Sequence, residues 1–387
     1  MIRSLVLLAL LTGVAWWLHG EQTKGRLREV DEVFLDFLLA NTRDQLQPDT
    51  ASLDRVILIT MRESDKAEFS TWPPAPIDYH MVLKSLVAPQ PDVLTLTEPL
   101  AWPEPKPSFI TQLGDSLLPF ARVVLSARSG STTDLAFAKE RLPVLRNVRG
   151  DTTPLPPLTG ITQAPEPELA RHGDSGLLAS SVGMRFDNGI APSVELQTLA
   201  HATRTPFAFQ RINLGPGAGL HLGDEYFIPL ENNGSFIKPS VTVSEINALD
   251  LMTPNVEDEA TTMLGKNKII ILGLGDDGTR QRAQIIAASL ALPKLHVIPF
   301  IGQLIAWSIA ALLALSLVWV PKTKALTRTL VFLVLALTAS YLAFQAFKTW
   351  CPPAVPAALI ITGGVFARLF GKRVISETSP ATTEAPL

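Results

Sequence analysis

The sequence predicts an α/β extracytoplasmic domain with a mainly parallel central sheet, joined to four transmembrane α-helices, one N-terminal and three C-terminal. Three observations predict this class. Of the 387 residues, 47% are hydrophobic and 18% are charged, which is typical of chains with membrane segments. The long apolar runs lie towards the two ends of the sequence. Between them, short β-branched runs alternate with stretches of helical spacing, as in βαβ units.

The first apolar run extends from Leu5 to Leu18 and follows Arg3. Its length is near that of a signal-peptide core and slightly short for a membrane span. No small-x-small cleavage motif follows it, and Trp16 and Trp17 stand where aromatic side chains anchor a helix at the membrane interface. We therefore interpret residues 1–20 as an uncleaved signal anchor, with a cleaved signal peptide as the alternative.

Three more apolar runs follow one another closely, at residues 300–320, 329–347 and 355–370. Each is close to the ~20 residues that a helix needs to cross a bilayer. The short connectors between them contain prolines, which break helices. The sequence therefore predicts three transmembrane helices within residues 299–370, followed by a short cytoplasmic tail, 371–387, that is too polar to form a core.

Basic residues in the short loops predict the orientation of these spans. The connector with Lys322, Lys324 and Arg328 and the tail with Arg368, Lys372 and Arg373 are both expected on the cytoplasmic side. Lys24, Arg26 and Arg28 oppose this orientation, but the agreement of the three later spans decides it. Residues 21–298 are thus predicted to form an extracytoplasmic domain of a multi-pass inner (cytoplasmic) membrane protein, periplasmic where the cell has an outer membrane.

The predicted elements of the large segment follow from periodicity. Residues 27–47 form a helix whose apolar face contains Leu27, Val30, Phe34, Phe37 and Leu38. Residues 130–168 lack periodicity and are expected to be a surface excursion. Ser244, or the residues just before it, is expected to cap a helix through Leu251. The other predictions are strands at 55–61, 92–100, 121–129 and 266–272, helices at 77–87, 108–118, from 193 and at 279–292, and a strand, Asn-Gly turn and strand over 225–240.

Composition and spacing exclude several functions. A net charge of −3 without a basic stretch argues against nucleic acid as a partner. The single cysteine, Cys351, excludes an intramolecular disulfide and a cysteine-rich zinc site. Residues 273–278 read GLGDDG between a strand and a helix, the context of a dinucleotide fingerprint. Asp276 and Asp277 would repel a pyrophosphate there, so a tight turn is the better interpretation and no cofactor is predicted.

Acidic residues at strand ends are the candidate site. Glu63 and Glu98 follow two strands of the predicted parallel sheet, and Asp276 follows a third. Ligands of open α/β sheets bind outside the carboxyl ends of the strands, so these side chains could share a crevice. A cation site or acid–base chemistry there is one possibility. Acids that only cap helices or stay solvated are the commoner alternative, and no catalytic or metal-binding residue is predicted.

The order of these parts resembles the CHASE type-two family, the extracellular sensory domains of bacterial transmembrane receptors. The similarity covers the layout of about residues 1–370. It rests on RVILITMRE, Trp72-Pro73, DVLTLTEPL, PSVELQTLA, IPLENNGSF and KIIILGLGDDG. Arg62 stands where the family has an acid, Ala75 and Pro76 where it usually has an arginine, Glu98 where aspartate is usual, and Ile286-Ala287 where it has His-Ala.

The resemblance implies a sensory domain, and the candidate ligand-pocket residues are Glu63, Trp72, Glu98, Asp276 and Asp277. If the family has a ligand or metal pocket at the departing positions, it is expected to be lost or altered in this chain. Family members commonly end in a cyclase, kinase or phosphatase domain, and none is expected in the 371–387 tail. We therefore expect a non-enzymatic, bilayer-anchored sensor for an unknown small ligand, acting in signal transduction through a membrane signalling partner or a homo-oligomer. The alternatives are a structural scaffold of an envelope membrane complex and an enzyme that uses Glu63, Glu98 or Asp276.

Overall fold

The structure is a computed structural model that describes residues 2–252 and 263–370 apart from positions 25, 47 and 133. The chain divides into two compact units. One, here the α/β unit, is Ala40–Lys294; the other, here the helical unit, is Met1–Leu39 together with Leu295–Leu387. The predicted tail, with Lys372 and Arg373, lies outside the described residues.

The elements are numbered in chain order. The described α-helices are α1 (Ile2–Thr23), α2 (Arg28–Thr42), α3 (Pro76–Leu86), α4 (Pro107–Leu117), α5 (Ala136–Arg141), α6 (Val194–Ala202), α7 (Ala248–Met252), α8 (Asp277–Leu290), α9 (Phe300–Ser316), α10 (Lys322–Phe347) and α11 (Ala354–Phe370). The described strands are β1 (Val56–Met61), β2 (Val93–Leu96), β3 (Val123–Ser129), β4 (Val148–Arg149), β5 (Ile161–Gln163), β6 (Asp174–Leu177), β7 (Gly183–Phe186), β8 (Gly189–Pro192), β9 (Gln210–Asn213), β10 (Gly219–Leu222), β11 (Tyr226–Pro229), β12 (Ser244–Asn247), β13 (Ile269–Leu274), β14 (His296–Val297) and β15 (Thr349–Trp350).

The centre of the α/β unit is a seven-stranded sheet in the order β12-β1-β13-β2-β3, with β5 and β6 both paired to β3. Every pair in it is parallel except β3–β5. The mixed α/β class with a mostly parallel sheet is therefore confirmed. The antiparallel pairing elsewhere in the unit forms a hairpin, β7–β8, and a separate four-stranded sheet, β11-β10-β9-β4.

The sheet is buried on both faces, which explains why its strands read as continuous apolar runs. All six residues of β1 are buried. Alternate side chains of β1 enter different cores: Val56 and Leu58 pack with α6 and α8, whereas Ile57 and Ile59 pack with α3, α4 and α7. The helices that follow β1 and β13 thus lie on opposite faces of the sheet.

Two expectations for the loops are wrong. Residues 130–168 are not a surface excursion, because they contain α5, β4 and β5 and bury Leu145 and Leu155 completely. Ser244 does not cap a helix; it begins β12, which pairs with β1, and the helix α7 starts at Ala248. In both places, tertiary pairing decides the conformation of short segments that have little local periodicity.

The predicted hairpin over 225–240 is found in part. Its first strand is β11, which pairs with β10 rather than with the residues beyond the turn. After the turn at Gly234, only a single antiparallel bridge joins Phe236 to Leu230. The chain reverses as predicted, but the actual partner strand, β10, was not predicted.

The orientation of α2 differs from the prediction. Its buried face is Asp31, Leu35, Leu38 and Leu39, whereas Val30 and Phe37, assigned to the buried face, are more than half exposed. Asp31 explains the rotation, because its carboxylate accepts a hydrogen bond from the backbone N–H of Ala354 (3.0 Å) at the start of α11. This contact caps an otherwise unsatisfied helix end and fixes which side of α2 faces inward.

The helical unit contains three helices long and apolar enough to span a membrane among the described residues: Ile2–Gln22, Phe300–Trp319 and Lys322–Phe347. This chain is therefore a membrane protein by length and composition of its helices. The fourth predicted span corresponds to α11, which is apolar but has only 17 residues. Its two central glycines allow close packing, since a Cβ on Gly363 would lie 2.6 Å from Ala314 Cβ and one on Gly364 would lie 2.2 Å from Thr329 Oγ1.

Candidate functional site

The carboxyl ends of β1, β13 and β2 lie side by side at one edge of the sheet, because these strands are parallel neighbours. The chain leaves β1 towards α3 on one face and leaves β13 towards α8 on the other face. Such a divergence opens a crevice in which ligands of α/β sheets commonly bind. The residues at this edge include Glu98, after β2, and Asp276, after β13.

The negative charge of Asp276 acts on Glu98. The Glu98 side chain is 18% exposed, and its Oε2 lies 3.5 Å from the Nη2 of Arg128, at the end of β3. Burial raises the pKa of Glu98, the negative charge of Asp276 raises it further, and Arg128 and Arg282 oppose both effects. Glu98 is therefore a carboxyl group that takes up a proton more readily than an exposed glutamate.

A buried ion pair between Glu195 and Arg282 lies near this edge of the sheet. Glu195, at the second position of α6, is 2% exposed and pairs through Oε1 with the guanidinium of Arg282 on α8. Arg282 also donates to the backbone carbonyl of Ala179 at 3.2 Å. The other carboxylate oxygen of Glu195 has no hydrogen-bond partner in the described part of the chain. Burial raises the pKa of Glu195, against the lowering effect of Arg282.

A second cluster lies at the end of β1. Glu245 of β12 accepts hydrogen bonds from Thr60 (2.9 Å), Arg62 (2.8 Å) and Arg280 (3.2 Å). Burial raises the pKa of Glu245, but these hydrogen bonds, that of Arg280 first, outweigh it and leave the pKa lowered. Arg62, which stands where the family resemblance leads one to expect an acid, is thus an ion-pair partner of Glu245.

The GLGDDG segment forms the tight strand-to-helix turn of the simpler interpretation. Asp276 caps α8 by accepting a hydrogen bond from the N–H of Thr279 at 2.7 Å. The first glycine is required by packing, because a Cβ on Gly273 would lie 2.0 Å from Thr97 Oγ1. A Cβ on Gly278 would make only ordinary contacts, at 3.6 Å from Asp276.

The remaining candidates have separate surroundings. Glu63 is exposed in a short 3-10 helix after β1, and Asp277 is exposed at the first position of α8. Trp72 is half-buried and packs against Phe69, with their ring centroids 5.8 Å apart, on the face of the sheet that carries α3. Among the five candidates, Asp276 is the one whose charge acts on Glu98.

Sequence reasoning missed Arg128, Glu195 and Arg282. Arg128 ends a strand that was predicted at the right place, and its position next to β2 depended on the strand order. Glu195 looks like an ordinary acid in the first turn of a helix. No signal in the sequence links it to Arg282, which is 87 positions away.

Neither metal chemistry nor a known relative identifies the site. Among the described residues, no group of three or more His, Cys, Asp or Glu side chains could hold a metal ion. Comparisons with protein-family models, with curated proteins and with solved structures found no match to this chain. The resemblance to CHASE type-two domains therefore stays a prediction.

Proposed function

We propose that this protein is a non-enzymatic, membrane-anchored sensor whose extracytoplasmic α/β unit binds a small polar ligand at the carboxyl edge of its sheet. The observation that carries the proposal is the convergence of Glu98, Asp276 and Arg128 at that edge, where the chain diverges to opposite faces of the sheet. A carboxyl group beside a guanidinium suits a ligand with a donor group for Glu98 and an acceptor for Arg128.

We infer four membrane spans, of which α11 is the fourth. Within the helical unit, α11 packs against α1, α9 and α10. If these three helices cross the membrane, α11 lies at the same depth in the bilayer. At ~1.5 Å per residue, its 17 residues cover most of the hydrocarbon core.

The basic residues support cytoplasmic termini in an inner membrane. Lys322, at the start of α10, donates a hydrogen bond to the carbonyl of Leu369 at 2.5 Å, so the basic ends of α10 and α11 meet at one membrane face. The opposite end of α11 is the one capped by Asp31. By the positive-inside rule the α/β unit is extracytoplasmic. Its signal then passes to a membrane partner or a second copy of this chain.

Thermal unfolding of the full-length protein in lipid nanodiscs, screened against amino acids, amines and hydroxy acids, tests the ligand site. We expect at least one compound to raise the Tm of the wild type. The same compound should fail with Glu98→Gln and with Arg128→Gln, because each removes one half of the recognition pair. Lys84→Gln, an exposed change on α3, is the matched control and should respond like the wild type. An equal response of all four proteins would refute the site.

An envelope scaffold is the second candidate, and the membrane helices favour it. Only 6% of the most apolar stretch of α10 is buried within this chain. Beside α10 lies a cavity of about 330 Å³ whose walls include Ile309, Leu333 and Ile360. Small apolar surfaces of this kind take up helices of partner proteins or lipid chains. Ligand-independent co-purification with envelope proteins after crosslinking in the membrane would favour the scaffold over the sensor.

A further inference from the structure

A second cavity lies at the opposite edge of the sheet from Glu98. It has a volume of about 400 Å³ and is bordered by Arg122 before β3, by Asp174 at the start of β6, and by the end of α6 with the segment after it. This volume falls in the range of sites that bind small organic molecules. Glu98, Asp276 and Arg128 do not line this cavity, so the cavity requires a separate explanation.

Two guanidinium groups beside this cavity are placed to receive an anion. Arg122 and Arg204 both border it, and both pair with the same carboxylate, Asp92. One carboxylate offsets only one of the two guanidinium groups. The acid in the cavity wall, Asp174, is engaged by His201, whose Nε2 lies 2.8 Å from Asp174 Oδ2. Arg122, Arg204 and Asp92 together carry one positive charge, and the Arg204 side chain, 70% exposed, is accessible to a ligand.

Gln210 borders the cavity and has an unused hydrogen-bond acceptor. Its side chain is 3% exposed and its Nε2 donates, at 3.5 Å, to the carbonyl of Thr205. Its Oε1 is buried without a hydrogen-bond partner among the described residues. Buried polar atoms are almost always satisfied, so this atom calls for a donor that the chain does not supply. A hydroxyl or amine on a bound molecule would provide it.

The backbone of Arg204 shows that its position is defined rather than loose. Arg204 has a φ of +55° and follows α6 in the place where helices usually end with glycine. The N–H of Arg204 bonds to His201 O at 3.1 Å, and that of Thr205 bonds to Ala200 O at 2.9 Å, which is the Schellman pattern. A side chain in this conformation is strained, and glycine would relieve the strain. The strained residue is the one that brings its guanidinium to the cavity.

We propose that this cavity binds a small organic carboxylate with a hydrogen-bond donor at its far end. Arg122 and Arg204 hold the carboxylate, Gln210 accepts from the donor, and Phe207, which borders the cavity, covers the apolar body between them. The site does not depend on the proposed sensing of a ligand at Glu98, because the two share no residue.

Three matched probes separate the parts of this recognition. Isothermal titration calorimetry of the full-length protein in nanodiscs would compare 4-hydroxybenzoate, benzoate and 4-hydroxybenzamide. We expect 4-hydroxybenzoate to bind with a Kd at or below about 1 mM, a reasonable affinity for so small a ligand. Benzoate, which lacks the hydroxyl donor, should bind roughly fivefold more weakly. The neutral amide should bind at least tenfold more weakly, since it lacks the charge.

Arg204→Gly is the decisive variant, because it removes the guanidinium and relieves backbone strain at the same time. It should fold at least as stably as the wild type and bind 4-hydroxybenzoate at least tenfold more weakly. Asn188→Gly, at another positive-φ position in the β7–β8 turn, and Lys84→Gln, which removes a distant surface charge, should both bind normally. Unchanged binding in Arg204→Gly, an equal loss in Lys84→Gln, or no binding of any probe by the wild type would overturn the proposal.

Discussion

Substitution of Gly273 by alanine tests whether the glycine-rich turn is built for packing. A Cβ at Gly273 would lie 2.0 Å from Thr97 Oγ1 and 3.1 Å from Thr279 Cγ2. Both threonines are at most 3% exposed, and their hydroxyls hydrogen-bond to one another at 3.3 Å. Neither side chain can move away into solvent. We therefore expect Gly273→Ala to destabilise the protein.

The magnitude follows from two contributions. Overpacking a filled core costs about 1–3 kcal/mol, and a lost buried hydrogen bond adds about 1 kcal/mol. A total of about 2–4 kcal/mol lowers the Tm of a unit of this size by roughly 4–16 °C. Gly278→Ala is the matched control, since its Cβ has room in the first turn of α8. Alanine favours helix there, so this variant should be as stable as the wild type or up to about 1 kcal/mol more stable.

Tryptophan-fluorescence melting of the full-length protein in nanodiscs would measure these shifts. The double variant Gly273→Ala with Thr97→Ala removes the closest clashing atom and should recover part of the loss, a coupling that a double-mutant cycle detects. An additive double variant, or equal destabilisation by Gly273→Ala and Gly278→Ala, would refute the packing explanation.

Three further predictions concern both units. Asp31→Ala removes the hydrogen bond to the N–H of Ala354 and should lower the free energy of unfolding by about 1 kcal/mol, whereas Asp31→Asn keeps an acceptor and should lower it less. Melting curves of the two variants would measure the difference, and equal losses would exclude a capping role. Gly363→Ala should weaken helix packing by about 1–3 kcal/mol in detergent melts, while Gly13→Ala, with no neighbouring atom within 4 Å, should have little effect. Because the pKa of Glu98 is raised, its ionised form opposes folding, and this penalty develops as the pH rises above the unfolded pKa of ~4.3. Glu98→Gln should therefore equal the wild type in Tm near pH 4 and exceed it increasingly as the pH rises through the folded-state pKa, above which the difference becomes constant. A pH-independent difference would contradict this.

Local patterns predicted the elements that have their own periodicity. The strand at 55–61, the helix at 77–87 and the helix at 108–118 lie within one residue of β1, α3 and α4. β-branched runs that are buried on both faces and helices with one apolar side leave a clear trace in the sequence. The mostly parallel sheet followed from their alternation.

Elements stabilised by distant partners left no such trace. β12 is four residues long and exists because β1 offers it an edge to pair with. The face of α2 is set by Asp31, a buried acid whose partner is 323 positions away. Hydrophobic periodicity does not detect a buried polar contact of this kind, and it therefore predicted the wrong face of α2, with Val30 and Phe37 buried.

The candidate site was accessible to sequence reasoning only in part. Glu98 and Asp276 could be placed at a common edge because both follow strands of one parallel sheet. Which basic residues face them depends on strand order and helix rotation, and so Arg128 and Arg282 could not be identified. The same holds for the 400 Å³ cavity, which combines Arg122, Arg204 and Gln210 from three separate segments.

The orientation of the α/β unit is the most direct test of the account, because a sensor of external ligands needs that unit outside the cytoplasm. In a Cys351→Ala background, single cysteines would be placed at Asn188, in the β7–β8 turn, and at Lys324, in the first turn of α10. They would be labelled in intact bacterial cells with a membrane-impermeant maleimide. We expect labelling of Asn188→Cys without permeabilisation of the inner membrane and labelling of Lys324→Cys only after it. The reverse pattern would contradict the account.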